Sequence, residues 1–107
     1  MHPSKGYIFA EVDVTNPDYF NTEYAPRVGP VLAKYGARFL VAGGNPEVRE
    51  GGRAVKRVVF LEFESPARAR EFYDSADYQA VIGYRFDSAN THLYILEGGE
   101  GGDATVR

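Results

Sequence analysis

Ser75, Tyr78, Ile82 and Arg85, within the stretch SADYQAVIGYRF, are spaced three, four and three residues apart. In a short helix that spacing stacks the four side chains on one side. A hydroxyl, a phenol and a guanidinium gathered this way could hold a small oxygenated molecule, the arginine neutralising a carboxylate or an enolate. Two roles are open to Arg85, which shares its inward stripe with Ile82 and Tyr78. It either pairs with Glu62, Glu64 or a backbone end, or it captures negative charge on a substrate. Arg38 has the same two roles, with the structural one favoured. Glu62, between Phe60 and Phe63 in an apolar run, is either a carboxylate of raised pKa serving as acid or base, or a paired structural group.

Other groups have simpler explanations. Ser75 is followed by Ala76-Asp77, the pattern of a helix N-cap with an acid in the first turn, and this outweighs a nucleophilic role. Tyr78 is expected to bury its ring and show its hydroxyl to a polar group. His92 can act as a base, a ligand or a packing residue, on the same side of its strand as Tyr94 and Leu96. One histidine among scattered acids is too few convergent ligands for a metal, so none is expected. The absence of cysteine removes thiolate nucleophiles, disulfides and thiolate-held clusters. Gly43-Gly44 and Gly51-Gly52 lack the strand-to-helix setting of a phosphate loop. No cofactor is expected. A net charge of −3 without a basic run argues against nucleic acid as a partner.

These residues must be positioned by the chain as a whole, which at 107 residues is the size of one core. The segment GYIFAEVDV alternates, with Ile8, Ala10, Val12 and Val14 on one face and Tyr7, Phe9, Glu11 and Asp13 on the other. Asn16-Pro17-Asp18 then supplies a cap, a first-turn proline and a first-turn acid. The helix it opens carries Phe20, Tyr24, Val28, Val31 and Tyr35 at helical spacing, and Pro26 and Gly29-Pro30 predict a kink or a split into two. Gly36 suits a left-handed cap. A strand is expected over Arg38 to Gly44 and another over Val55 to Glu64, joined by the turn-rich NPEVREGGRA. Ser65-Pro66 opens a second helix with a buried stripe of Ala69, Phe72, Tyr73 and Ala76, and Thr91 to Glu97 reads as a last strand.

The order β-α-β-β-α-β predicts an α+β, ferredoxin-like fold with two helices on one face of an antiparallel sheet. A single domain is expected over residues 1–98, followed by a glycine-rich tail, 99–107. Two helices leave the other face of the sheet uncovered, with Tyr7, Phe9, Val58 and Phe60 beside Glu11 and Glu62. An apolar patch of that kind predicts a homodimer, with Arg38 and Arg57 as candidate partners for the two acids. No run is long and apolar enough for a bilayer, and MHPSKGYIF carries no signal core, so a cytoplasmic protein without membrane attachment is expected.

The segments KYGARFLVAGG and FYDSADYQA, in that order and with Tyr24, Val59 to Phe63 and Arg85 around them, resemble the bacterial proteins grouped as domain of unknown function 1330. The likeness runs from about residue 6 to residue 98. It implies a subunit of the dimeric α/β-barrel superfamily and brings no activity with it. More distant members of that superfamily include cofactor-free quinone-type monooxygenases, haem-degrading enzymes and small-molecule isomerases. The expectation is therefore a homodimer with a small pocket between sheet and helices, lined by Tyr24, Arg38, Glu62, Tyr78 and Arg85, for a small organic acid or carbonyl compound. Any catalysis would be cofactor-free proton transfer or oxygenation, with Arg85 holding negative charge and Glu62 or His92 moving the proton. The alternative is a non-catalytic binding or stress-related dimer whose polar residues are structural ion pairs.

Overall fold

The computed structural model describes residues 4–99. Apart from Gly99, the expected tail lies outside the described residues. The elements run β1 (Gly6–Val14), α1 (Pro17–Tyr19), a π-helical turn (Phe20–Tyr24), α2 (Ala25–Lys34), β2 (Arg38–Gly44), β3 (Arg57–Phe63), α3 (Pro66–Asp74), α4 (Ala76–Gln79), α5 (Ile82–Phe86) and β4 (Ala89–Glu97). The strands form one antiparallel sheet in the order β2-β3-β1-β4, with both helical layers on one face, the ferredoxin-like arrangement. Among the described residues, no helix is long and apolar enough to cross a membrane.

The alternation of β1 fixes the rest of the sheet. Ile8, Ala10 and Val12 are buried under the helices. Across β1 they pair with Leu61 and Val59 of β3, and with Ile95, Leu93 and Thr91 of β4. Pairing preserves the side on which each side chain stands, so Tyr7, Phe9 and Glu11 share the opposite face with Val58, Phe60, Glu62, His92, Tyr94 and Leu96. On that face Phe60 meets Tyr7 and Phe9 edge-on at ring separations of 5.4 and 5.6 Å.

The helix after β1 is interrupted at Phe20–Tyr24 by a π-helical turn. α1, the π-turn and α2 follow one another without a break in helical backbone, and the ladder changes register where Ala25 N–H reaches back to the Phe20 carbonyl. The physical reason is Pro26. It has no N–H for the Thr22 carbonyl and its ring would crowd that carbonyl, so a turn widened by one residue relieves both problems. Of the expected stripe, Tyr24 and Val28 are buried and Phe20, Val31 and Tyr35 are partly buried against the core, and Leu32 joins them as a buried residue. Gly36 closes α2 at φ +71°, where its Ala37 neighbour donates to the Leu32 carbonyl at 3.0 Å.

α3 is capped as expected, Ser65 Oγ accepting from Arg68 N–H at 3.1 Å, and it buries Ala69 and Phe72. It ends at Asp74, which leaves Ala76 exposed on a new helix and off the buried stripe. Ser75 makes that junction. Its hydroxyl donates to the Phe72 carbonyl at 2.7 Å and accepts from Tyr78 N–H at 3.1 Å, tying the end of α3 to the start of α4. Ser75→Ala should therefore lower stability by about 1–2 kcal/mol in urea titrations, the loss of a cap and of one further bond.

Candidate functional site

Between the sheet and the helices lies a cavity of about 280 Å³. Its floor is Ile8, Ala10 and Val12 with their neighbours on β3 and β4, and its roof is the face of the first helix that carries Phe20, Tyr24, Val28 and Leu32. The π-turn is what brings Phe20 and Tyr24 over the sheet together, their rings 5.1 Å apart. The walls are overwhelmingly apolar, and against them stand a few polar groups, from Tyr24, Tyr78, Arg85, Arg57 and Thr91.

Tyr24 and Tyr78 meet hydroxyl to hydroxyl at 3.0 Å in the buried core. Ser75 sets Tyr78 in place through the cap of α4, and Phe72 packs on its ring at 4.6 Å. Burial is the main cause that pushes the Tyr24 hydroxyl well above its ordinary value of 10.0, the adjacent Tyr78 adds to it, and Arg85 opposes it weakly. The folded chain thus holds this proton where the unfolded chain releases it. Its contribution is complete below pH 10 and declines as pH rises further, by about 1.4 kcal/mol per pH unit for one such group. Tyr24→Phe should flatten the alkaline fall of the melting temperature. Tyr78→Phe leaves the Tyr24 hydroxyl without its partner and should cost about 1–2 kcal/mol at neutral pH, whereas the double phenylalanine variant should cost less than the two singles summed.

Arg85 is the most unusual group of the five. Its side chain is carried into the core by α5, the residue is only 5% exposed, and its Nε is buried without a hydrogen-bond partner. Its guanidinium sits 5.2 Å from the Phe86 ring, and among the described residues no carboxylate pairs with it. Arg57 Nε and Thr91 Oγ1 are likewise buried and unpartnered, and both line the same cavity. A buried polar atom of this kind forfeits its water bonds with nothing in return. All three of these donor atoms stand around the one cavity.

Of the expected lining residues, Tyr24, Tyr78 and Arg85 come together here, while Arg38 and Glu62 do not. They pair with each other, Nη1 to Oε1 at 3.2 Å, outside the cavity. Glu62 alternates with Leu61 and Phe63, both buried under the helices, so it has to stand on the uncovered face. His92 pairs with Glu11 across β1 and β4 on that same face, away from the cavity. Glu11 takes its partner from the loop after β2, Arg53 Nη2 reaching both its oxygens at 2.6 and 2.8 Å. Arg57, expected beside Glu11 or Glu62, instead stands with Val59 and Leu61 under the helices, its guanidinium 6.0 Å from the Phe20 ring. Arg57 and Thr91 also line the cavity, and the sequence marks them only by position: each is a polar residue two before a residue packed on the core, Val59 and Leu93, on its own strand.

The fold is shared with solved structures of low sequence identity. The protein of unknown function RPA0582 from Rhodopseudomonas palustris matches with a TM-score of 0.73 at 16% identity, over 94% of this chain and 86% of that one. SnoaB, a cofactor-independent oxygenase from Streptomyces nogalater, matches at 0.60 and 10% identity, over 92% and 96%. A dimeric ferredoxin-like protein of unknown function from Thermobifida fusca matches at 0.52 and 11%, over 89% and 92%. No curated protein matches the chain in sequence. The family model for a domain of unknown function, DUF1330, matches residues 5–99, a span that holds all four strands, the π-turn and every residue of the cavity, and the chain belongs to that family.

Proposed function

We propose that this protein is a homodimer that binds a small organic acid or carbonyl compound in the cavity between its sheet and helices. The observation that carries the reading is Arg85, a residue 5% exposed whose Nε is buried without a partner and which lines an apolar cavity. A structural arginine this deep is ordinarily matched by a carboxylate, because an unpaired buried charge costs several kcal/mol. Of the two acids expected beside it, Glu62 is engaged by Arg38 across the sheet and Glu64 is exposed just past β3. The pair Arg38–Glu62 suits the ion-pair alternative, and the lack of such a partner for Arg85 among the described residues supports the binding reading. A thermal-shift panel of small carboxylic acids and ketones tests the reading. A true ligand at 100 times its dissociation constant should stabilise by about 2.7 kcal/mol; a panel without any upward shift would end the proposal.

SnoaB, described as a cofactor-independent oxygenase, supports extending the reading to cofactor-free oxygenation or proton transfer on the bound molecule. Arg85 would hold the negative charge of an enolate. Glu62 and His92 are across the sheet, so the reading is confined to a molecule that enters already as its enolate, to which Tyr24 or Tyr78 would return a proton at carbon.

The dimer is supported by the uncovered face, where Phe9, Phe60, Tyr94 and Leu96 form a continuous apolar surface and Tyr94 and Leu96 are nearly half exposed. The Thermobifida fusca protein of the same fold is described as dimeric. Sedimentation at tens of micromolar should give twice the subunit mass, and a folded single subunit there would overturn the dimer.

A further inference from the structure

The polar groups of the cavity name the ligand more narrowly than "acid or carbonyl", on the premise that the cavity is a binding site. Arg85 Nε and Arg57 Nε can only donate hydrogen bonds, and Thr91 Oγ1 has a proton to give. In the Tyr24–Tyr78 pair one hydroxyl donates to the other, which leaves one phenolic proton uncommitted. No Asp, Glu or His lines the cavity, so two guanidinium charges stand against an apolar wall without a counter-charge. The complement of such a set is a molecule rich in acceptors and negative in charge.

The sheet register spreads those donors apart. Thr91 pairs with Val12 across β1 and β4. Val58 pairs with Glu11 across β1 and β3, which brings Arg57 level with Val12 from the other side. The backbones of Arg57 and Thr91 are therefore two strand spacings apart, about 10 Å. A threonine hydroxyl stays close to its own backbone, so it reaches one side of the cavity only. Arg85 enters from α5, on the helical layer. Donors converging from three elements are poorly served by the two oxygens of an isolated carboxylate and well served by a carboxylate with a further oxygen on the next carbon.

We propose that the cavity selects a 2-oxo or 2-hydroxy carboxylate with an apolar body, the carboxylate on Arg85 and the second oxygen within reach of Thr91 and Arg57. The body is small. At about 280 Å³ the cavity falls just under the usual range for drug-sized ligands, roughly 300–1,000 Å³, and suits one ring or a branched alkyl chain.

Calorimetric titration with three compounds of one shape tests this: phenylpyruvate, 3-phenylpropanoate, which lacks the oxo group, and 1-phenylpropan-2-one, which lacks the carboxylate. Phenylpyruvate should bind roughly 10-fold tighter than 3-phenylpropanoate and roughly 100-fold tighter than the ketone. Thr91→Val, close to isosteric, should bring the two acids to within about threefold of each other. Arg85→Met should abolish the advantage of both acids over the ketone. If the ketone or 3-phenylpropanoate binds as tightly as phenylpyruvate, this inference is wrong while the cavity remains a binding site. If none of the three binds, this inference is wrong, and the reading beneath it falls only if the panel of acids and ketones also gives no upward shift.

Discussion

Replacing Gly6 with alanine is expected to destabilise the protein by at least about 3 kcal/mol, seen as a fall of roughly 15 °C in melting temperature or as failure to fold. Gly6 opens β1 and lies against the chain that turns from β3 into α3. A Cβ built there would collide with the Ser65 carbonyl and come within 2.6 Å of Pro66 Cα. Both obstacles are backbone, and Ser65 is the cap of α3, so neither can swing aside as a flexible side chain would. The strand would have to part from the helix start, and with it Ile8 and Phe63, two of the most deeply buried side chains, would lose their packing. Gly83→Ala is the matched control. It lies within α5 with open space around the added methyl, and should gain about 0.5–1 kcal/mol from helix propensity alone. Equal losses at the two positions would refute the steric account.

Arg85→Met should have the opposite signature: a melting temperature higher by roughly 5 °C, about 1 kcal/mol, together with a loss of acid binding of roughly 100-fold. Methionine keeps most of the aliphatic stem of this buried residue and removes a charge that no carboxylate of the described residues pairs. A residue that lowers the stability of the free protein and raises the affinity of the bound one is placed for its ligand and not for the fold. A structural arginine would behave otherwise, its removal unfolding the chain at lower temperature whatever acid is present. Denaturation curves of the free variant, set beside titrations of the wild type, separate the two outcomes.

The architecture was legible because its cues are local. The β1 alternation, the paired Asn16-Pro17 and Ser65-Pro66 starts and the cap at Gly36 each act within a few residues, and each is realised. Strand ends were less legible, since they depend on partners. β4 starts at Ala89, two residues early, because Ala89 and Asn90 pair with Val14 and Asp13. The candidate site was legible on the helical side, where Tyr24, Tyr78 and Arg85 followed from spacing. It went astray on the strands where chemistry was allowed to outrank alternation: Glu62 and His92 carry useful groups but share a face with Phe60 and Tyr94. Arg57 and Thr91, on the right face, were passed over because a lone arginine and a threonine suggest no reaction. The π-turn could not be located from Pro26 alone, since the proline forbids a regular turn without saying where the slack is taken up.

That slack bears on the shape of the cavity roof, which carries Phe20 and Tyr24 of the π-turn. One surplus residue in the turn advances everything on one side of it by about 100° of helical rotation relative to the other. Deleting or inserting a single position there would recontour the roof while leaving the register of the four strands below it in place.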